Sequence, residues 1–262
     1  MKIAIIGANG FIGSSLYKHL SKKYNTVPVT RSTVDILNLD NLKKYLSDNT
    51  FDTIVICAGS MQNNITDLHN NLGLIINFYH CRTLFGKLIN LGSGAEFDRM
   101  TDINSAPESD IFVKKPNDFY GLSQNLKSQL CFSTENFYNL RIFNCFGRNE
   151  ISTRIFPRLL SSQYEFPINN DRYFDYFSIQ DLCTVVDYFV CNTSAVKDIN
   201  CVYTKKYLIS EVANKFIDMH RLNLKIKIES KSNLNYTGDA SKLNALGLNL
   251  NGLEHGLANY FN

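Results

Sequence analysis

The sequence predicts an α/β fold in which helices cover both faces of a doubly wound parallel sheet. Short apolar runs alternate with amphipathic segments in the first half of the chain, and this alternation is typical of βαβ units. The runs are apolar almost throughout, as expected for strands that are buried on both faces. With 262 residues, 44% of them hydrophobic, the chain suits one large domain or a domain with a modest appendage.

The first half divides into five predicted strands and four predicted helices, placed from the spacing of apolar residues. The strands are predicted at residues 3–6, 26–30, 53–57, 87–91 and 138–143. The helices are predicted at residues 11–23, 39–47, 67–82 and 119–136.

The pattern changes after residue 147. Helices are predicted at residues 155–163, 179–191, 208–221 and 252–261, and strands at residues 176–178, 200–203 and 224–229. No low-complexity linker or repeat separates the two regions. We therefore expect residues 148–262 to be interwoven with residues 1–147 rather than to form an independent domain.

Composition and charge argue against several classes of function. Lys and Arg number 27 against 24 Asp and Glu, and no basic run is interleaved with aromatic residues, so we expect no nucleic-acid binding. No apolar stretch reaches the length of about 18 residues that crosses a bilayer. The chain also starts with a strand pattern instead of an apolar signal segment. We therefore expect a cytoplasmic protein that does not associate with membranes.

The seven cysteines are scattered along the chain. They form no Cys-x-x-Cys pair and do not cluster with the five histidines. Such a set is typical of reduced thiols in a cytosolic protein, so we expect buried cysteines and no metal site.

A glycine-rich turn follows the first predicted strand. Gly7, Gly10 and Gly13 form a G-x-x-G-x-x-G pattern that opens the first amphipathic helix. Glycine is needed because a side chain would keep the backbone from approaching a pyrophosphate, while the start of the helix offers unpaired N–H groups. At the head of a βαβ series, this turn predicts dinucleotide binding.

The spacing of this turn resembles that of the extended short-chain dehydrogenase/reductase family, which includes NAD(P)-dependent sugar-nucleotide epimerases, dehydratases and reductases. Residues 140–147 resemble the family's L-R-x-F-N-x-Y-G segment, and residues 238–247 and 253–257 resemble its closing D-x-S-K-x-x-x-L-G … L-E-x-G-L pattern. The resemblance covers nearly the whole chain. It implies a Rossmann-type dinucleotide-binding domain in residues 1–147 and a small interwoven C-terminal substrate lobe formed mainly by residues 148–262.

In such folds, the residue after the second strand discriminates between the two nicotinamide cofactors. Arg31 stands there, and no Asp or Glu occurs between Tyr24 and Thr33. Arg accommodates a 2′-phosphate, whereas an acidic residue would bind a free 2′-hydroxyl, so NADP(H) is favoured over NAD(H). The residues expected to bind the cofactor are Gly7, Asn9, Gly10, Phe11, Ile12, Gly13, Arg31, Asp35, Ile36, Ala58, Gly59 and Gln124.

Ser93 and Tyr120 resemble the family's catalytic pair. The family's Tyr exchanges a proton with the sugar hydroxyl while hydride moves to or from the nicotinamide, and the Ser holds the same oxygen. A Lys one helical turn after the Tyr normally lowers the tyrosine pKa and binds the nicotinamide ribose, but this chain has Gln124 there. We assign Tyr120, Ser93 and Gln124 to the catalytic set. Lys127 shares a similar helix face but lies about 10 Å from Tyr120 along the axis.

The replacement of the Lys by Gln124 leaves three interpretations open. The enzyme is active, with Tyr120 activated by the positive charge of the oxidised nicotinamide and by active-site dipoles. Alternatively, it is slow or requires a high pH. In the third interpretation, the fold has kept binding and lost chemistry.

The neighbours of Ser93 narrow the reaction. Dehydratases of this family carry an Asp-Glu pair directly after the hydroxyl residue, and members that epimerise at C3 and C5 use a Cys there, whereas this chain has Gly94 and Ala95. The resemblance therefore implies simple hydride chemistry, and we expect an NAD(P)H-dependent reductase of a nucleotide-activated 4-keto-(6-deoxy) sugar. The alternatives are a nucleotide-sugar C4 epimerase and, from another class, a catalytically impaired dinucleotide- or sugar-nucleotide-binding subunit.

The substrate-binding candidates are Ser93, Asn144, Arg154 and Arg172. Asn144 falls in the segment that joins the sheet to the substrate lobe. Arg154 offers bidentate geometry for a diphosphate. Arg172 lies two places before Phe174, the position at which the family has an Arg. The resemblance also implies a homodimer formed through the Tyr120 helix and the helix before it.

Overall fold

A computed structural model describes all residues from 1 to 262. It contains twelve strands, which in chain order are β1 (Lys2–Ile6), β2 (Asn25–Val29), β3 (Phe51–Ile56), β4 (Phe85–Ser93), β5 (Ile103–Ala106), β6 (Phe137–Ile142), β7 (Cys145–Phe146), β8 (Glu165–Ile168), β9 (Phe177–Ser178), β10 (Asp198–Cys201), β11 (Lys225–Ile228) and β12 (Tyr236–Gly238).

The nine α-helices are α1 (Phe11–Leu20), α2 (Leu39–Asp48), α3 (Ile65–His80), α4 (Phe119–Ser133), α5 (Ile155–Ser161), α6 (Ile179–Cys191), α7 (Ile209–His220), α8 (Ser241–Ala245) and α9 (Leu253–Ala258). Two short 3₁₀ turns cover Gly94–Glu96 and Glu108–Phe112. None of the helices combines the length and the apolar character that crossing a membrane requires.

The centre of the molecule is a sheet of six strands in the order β10-β6-β4-β3-β1-β2. Every neighbouring pair in this sheet is parallel. The strand order reverses at β1, which has β2 on one side and β3 on the other, and ligands of such sheets bind outside the carboxyl ends of the strands near this point. The predicted α/β fold with a doubly wound parallel sheet is therefore confirmed.

The five strands predicted in the first half are confirmed to within two residues at each end, and the four helices to within three. The missed elements are β5, β7, β8, β12 and α8. The missed strands have two to four residues each, and they pair only with β12, β9, β11 and β5, respectively. Segments this short carry too few residues for a hydrophobic period to be recognised.

Helices cover the sheet on both faces. On one face, α1 and α6 bury side chains such as Leu16 and Phe189 against the central strands. On the other face, α2 and α3 bury side chains such as Leu46 and Phe78. Both faces of the inner part of the sheet are thus removed from water, which explains why its strands are mainly apolar.

The second half of the chain contributes to the central sheet and also builds a core of its own. β10 forms one edge of the sheet by pairing with β6, and α6 packs against α1. A separate cluster brings together α5, α7 and α9, with Phe156 and Phe216 fully buried at its centre. The second half of the chain therefore belongs partly to the central sheet and partly to a separate core.

All seven cysteines are free thiols. Five are buried, whereas Cys57 is half-buried and Cys191 is exposed at the end of α6. The expectation of buried cysteines is therefore wrong for Cys191, which belongs to an apolar run but lies on the helix face turned to solvent.

The glycine-rich turn allows α1 to lie directly against the backbone of the turn. Gly7 has a φ of +83°, a conformation that glycine adopts without strain. A Cβ atom at Gly13 would lie 2.2 Å from the carbonyl oxygen of Gly7. Gly13 is therefore required for the close approach of the helix to the turn.

We expect Gly13→Ala to lower the free energy of unfolding by about 2–3 kcal/mol, because the new methyl group meets backbone that cannot move aside cheaply. The measurement is urea denaturation. Gly73→Ala is the matched control: it also lies in a helix, but the nearest atom to its Cβ would be 3.9 Å away. This control should be neutral or stabilise by up to about 1 kcal/mol. Equal effects of the two substitutions would contradict the close-packing argument.

Candidate active site

A cavity of about 650 Å³ opens at the carboxyl ends of the central strands. Its wall is formed by the start of α1, the ends of β3, β4 and β6, and one face of α4. The predicted site residues that line it are Gly10, Phe11, Ile12, Gly13, Ala58, Gly59, Ser93, Tyr120, Gln124, Asn144, Arg154 and Arg172. The structure thus brings most of the predicted residues to one place.

The other predicted cofactor residues lie outside the wall of the cavity. Gly7 forms the turn behind it, and its N–H donates to Val29 O at 2.9 Å. Asn9 and Arg31 are exposed. Asp35 accepts a hydrogen bond from the Leu37 N–H at 3.0 Å, and Ile36 packs against the core on the α2–α3 face.

The start of α1 faces the cavity with its first amides free of side-chain caps. Gly10 is the N-cap residue and, as glycine, has no side chain with which to cap the helix. Phe11, Ile12 and Gly13 form the first turn and line the cavity. Unpaired N–H groups and the helix dipole make such a helix start suitable for a phosphate group. The cavity therefore fits the diphosphate of a dinucleotide.

Ser93 is the last residue of β4, and the chain turns sharply after it. The Ser93 N–H donates to Glu96 Oε1 at 2.9 Å, and the Ser93 Oγ accepts from the Ala95 N–H at 3.2 Å. This capping box fixes the backbone of Ser93 at the cavity wall. The hydroxyl proton remains available for a ligand, because in its contact with Ala95 the hydroxyl acts only as an acceptor.

A fully buried ionic network holds this turn from behind. The Arg141 Nε donates to Glu96 Oε2 at 2.5 Å, and the Arg141 Nη2 donates to Asp198 Oδ1 at 3.0 Å. The Asn139 amide adds contacts to Glu96 and Asp198. The network joins the turn after β4 to β6 and β10. Removing one partner of such a buried pair typically costs about 3–5 kcal/mol.

Tyr120 lies in the first turn of α4. The N-cap residue Asp118 accepts from the Gly121 N–H at 2.8 Å and also binds Arg99 at 2.7 Å. The Arg99 guanidinium lies 5.6 Å from the centre of the Tyr120 ring. Burial raises the pKa of Tyr120 above its usual value, whereas Ser93, Arg99 and Arg154 act in the opposite direction. Tyr120 therefore keeps its proton at neutral pH.

Gln124 and Lys127 lie on the same side of α4 as Tyr120, and all three line the cavity. Gln124 is 4% exposed and Lys127 is 1% exposed. The Lys127 Nζ donates to Gln124 Oε1 at 3.4 Å. The amino group of Lys127 has thus turned toward the cavity, although Lys127 follows Tyr120 by almost two helical turns.

The substrate candidates fall into two groups on the far side of the cavity. Arg154 donates a hydrogen bond to the Asn144 side chain, so these two residues form a pair. The Arg172 Nη1 donates to Leu234 O at 3.0 Å, and its Nε is buried without a hydrogen-bond partner. The Arg172 guanidinium also lies 5.4 Å from the centre of the Phe174 ring. Both arginines therefore present positive charge to the cavity.

Comparison with known proteins identifies the family. The model of the NAD dependent epimerase/dehydratase family matches residues 3–201. The chain belongs to this family. Among curated relatives, CDP-abequose synthase of Yersinia pseudotuberculosis is 30% identical in an alignment of length 116 that covers 37% of this chain and 41% of that protein. The match therefore spans less than half the length of this relative.

Several solved structures share this fold over nearly the whole chain. A GDP-6-OMe-4-keto-L-xylo-heptose reductase from C. jejuni has a TM-score of 0.82 and 20% identity, covering 98% of this chain and 95% of that one. A dTDP-4-dehydrorhamnose reductase from Bacillus anthracis in complex with NADP has a TM-score of 0.84 and 17% identity, covering 99% and 96%. At this identity, the likeness establishes the fold.

Two polar residues that line the cavity were not predicted from the sequence. Arg99 follows the turn after β4, and Tyr236 belongs to β12. Tyr236 interacts with the Ser93 side chain, and burial raises the Tyr236 pKa. Tyr236 reaches the cavity because β12 pairs with β5. The one signal available in the sequence was that Tyr236 lies just before residues 238–247, which resemble the family's closing pattern. No catalytic role was expected for that segment.

Proposed function

We propose that this protein is a cytoplasmic NAD(P)H-dependent reductase of a nucleotide-activated 4-keto-(6-deoxy) sugar. In this proposal, residues 1–147 bind the dinucleotide, and residues 148–262 mainly form the lobe that binds the sugar nucleotide. The observation that carries the proposal is the position of Ser93 and Tyr120 in one cavity with the uncapped start of α1. Membership of the epimerase/dehydratase family supports it.

The polar residues of the cavity that the sequence predicts have roles in such a reduction. The dinucleotide supplies the hydride. Tyr120 donates the proton to the carbonyl oxygen of the sugar, and the Ser93 hydroxyl binds the same oxygen. A proton donor has to hold its proton before the reaction, which agrees with the raised pKa of Tyr120. Gln124 binds the ribose of the cofactor, and Asn144, Arg154 and Arg172 bind the sugar nucleotide.

The lining of the cavity favours hydride transfer over other reactions of the family. It combines the hydroxyls of Ser93, Tyr120 and Tyr236 with three arginines and contains neither carboxylate nor imidazole. Its two thiols, Cys57 and Cys145, keep their protons because burial raises the pKa of both. Elimination of water or epimerisation beside a ketone requires a group that takes a proton from carbon. The side chains present are suited to hold and protonate an oxygen instead.

The direct test is a panel of 4-keto-6-deoxy sugars linked to GDP, CDP and dTDP, assayed by the loss of NADPH absorbance. We expect turnover with at least one of them, and Tyr120→Phe should slow this turnover about 100-fold or more, because the proton donor is removed. Tyr164→Phe, which changes an exposed tyrosine outside the cavity, is the control. Interconversion of C4 epimers without net use of NADPH would indicate the epimerase. NADPH binding without turnover on any substrate would indicate a binding subunit.

We propose that NADP(H) is preferred over NAD(H) and that Arg31 is responsible. Arg31 is exposed directly after β2 and makes no ion pair, so its guanidinium is available for a 2′-phosphate. The solved relative from Bacillus anthracis was crystallised with NADP, which supports this choice.

We expect Arg31→Ser to weaken NADPH binding by about 10-fold or more and to leave NADH binding unchanged, because a charge-assisted hydrogen bond contributes about 1.5–3 kcal/mol. The dissociation constants follow from the fluorescence of the reduced cofactors. Arg82→Ser, at an exposed arginine beyond the end of α3, should change neither. Equal losses of NADPH and NADH affinity would refute the role given to Arg31.

We also propose a homodimer formed through α3 and α4. These helices pack against each other, yet their outer side chains Ile65, Ile76, Phe119 and Leu126 remain 40–49% exposed. Exposed apolar residues on adjacent helices are typical of a protein–protein interface.

Light scattering coupled to size exclusion should give the mass of a dimer, and the double substitution Ile76→Glu with Leu126→Glu should give a monomer, because charges at an apolar interface are costly to bury. Ile228→Glu, which alters an exposed residue of β11, should leave the dimer intact. A monomeric wild-type protein at about 10 µM would rule out this interface as a stable one.

A further inference from the structure

Lys127 is a buried lysine without an acidic partner. Its side chain is almost completely removed from solvent, and no carboxylate lies within ion-pair distance of its Nζ. Its one hydrogen bond runs to Gln124 Oε1 at 3.4 Å. A buried, unpaired ammonium group costs stability, and an apolar residue would fill the same volume at lower cost. The position of Lys127 therefore calls for a functional explanation.

The charges around Lys127 leave its amino group uncompensated. The acidic side chain that acts on Lys127 is that of Glu96, in the turn after β4. Glu96 is already paired with Arg141. Cys131, one turn further along α4, is the other titratable neighbour. Burial lowers the pKa of Lys127, while these two groups act in the opposite direction.

Gln124 joins Lys127 to the cavity. Its amide oxygen is occupied by Lys127, whereas its amide nitrogen donates no hydrogen bond within the protein. Both side chains line the cavity, and Tyr120 lies four residues before Gln124 on the same helix face. The contact with Lys127 fixes which end of the amide is free to meet a ligand.

We propose that Lys127 is a positioning residue that acts through Gln124. Its amino group holds the Gln124 carbonyl oxygen, so that the amide N–H groups are available in the cavity to bind a ribose hydroxyl, and its positive charge strengthens these donors. The inference rests on the proposed function, since it assigns the ribose of the nicotinamide cofactor as the ligand. The positive charge of Lys127 thus lies behind an amide instead of beside Tyr120.

The test is cofactor affinity without any sugar substrate, measured by fluorescence between pH 6 and 10 with both NADPH and NADH. NADH is included because it lacks the 2′-phosphate, which titrates near pH 6. All variants are made in a Tyr120→Phe background, which removes the titration of Tyr120. Glu96, Cys131, Arg99, Arg154, Arg172 and Tyr236 are the remaining titratable groups around the pair and stay unchanged.

We expect Lys127→Met to weaken both cofactors about 10-fold at neutral pH and to raise the melting temperature, because it replaces a buried charge by an apolar chain of similar length. A merely structural lysine would instead lower the melting temperature.

In the parent protein, the affinity should fall as pH rises through the pKa of Lys127. Lys127→Arg, which stays charged, should keep its affinity over the same range. Lys115→Met, at an exposed lysine, is the matched control.

Two further variants test the route through Gln124. In Gln124→Met, adding Lys127→Met should change the affinity less than twofold, since the amide through which Lys127 acts is already absent. The double variant Gln124→Lys with Lys127→Met moves the charge by one helical turn and should restore binding even if Lys127→Arg does not fit.

The outcomes separate this inference from the proposed function. Unchanged affinity and pH profile in Lys127→Met, or a full additional loss in the Gln124→Met background, would overturn the role of Lys127. NADPH binding with the expected profile but without turnover on any sugar nucleotide would overturn only the reductase. A wild-type protein that binds neither NADPH nor NADH would overturn both.

Discussion

The ion pair between Glu96 and Arg141 is the interaction on which the geometry of this site depends. Glu96 holds the backbone of Ser93 with one carboxylate oxygen and Arg141 with the other. Arg141 in turn binds Asp198 on β10, so the turn that carries Ser93 is anchored to two strands. Because all three charges are buried, loss of Arg141 would leave two buried carboxylates without an ionic partner. The serine at the cavity wall is thus positioned by residues that contact no ligand.

The same network explains why the second half of the chain returns to the sheet. Asp198 lies at the start of β10, and Asn200 on the same strand accepts from Arg141. The edge strand therefore completes the polar interior behind the Ser93 turn as well as the apolar core. On the opposite side of the cavity, the backbone contact between Gly13 and Gly7 fixes the start of α1. Ionic contacts thus fix one side of the cavity, and a close backbone contact fixes the other.

Local sequence patterns predicted the elements whose burial is periodic and the motifs that the family keeps together. The central strands are mainly apolar, Ser93 follows a predicted strand closely, and Tyr120 lies in the first turn of a predicted helix. The features that were missed depend on distant pairing. Tyr236 reaches Ser93 through a three-residue strand, and the partners of Arg141 come from three separate segments. The orientation of Lys127 was underestimated because distance along a helix axis does not account for a long side chain that bends back.

In the proposed function, the electrostatics of the cavity keep Tyr120 in the protonated form from which reduction starts. A proton donor must stay protonated until the hydride arrives, and burial keeps Tyr120 in that state. A cation directly beside its hydroxyl would lower the pKa of Tyr120 by stabilising the tyrosinate. Gln124 at that position places an uncharged amide there. Arg99 and Arg154 lie near enough to stabilise the negative charge left after proton transfer. The arrangement thus separates the group that binds ribose from the groups that assist the tyrosine.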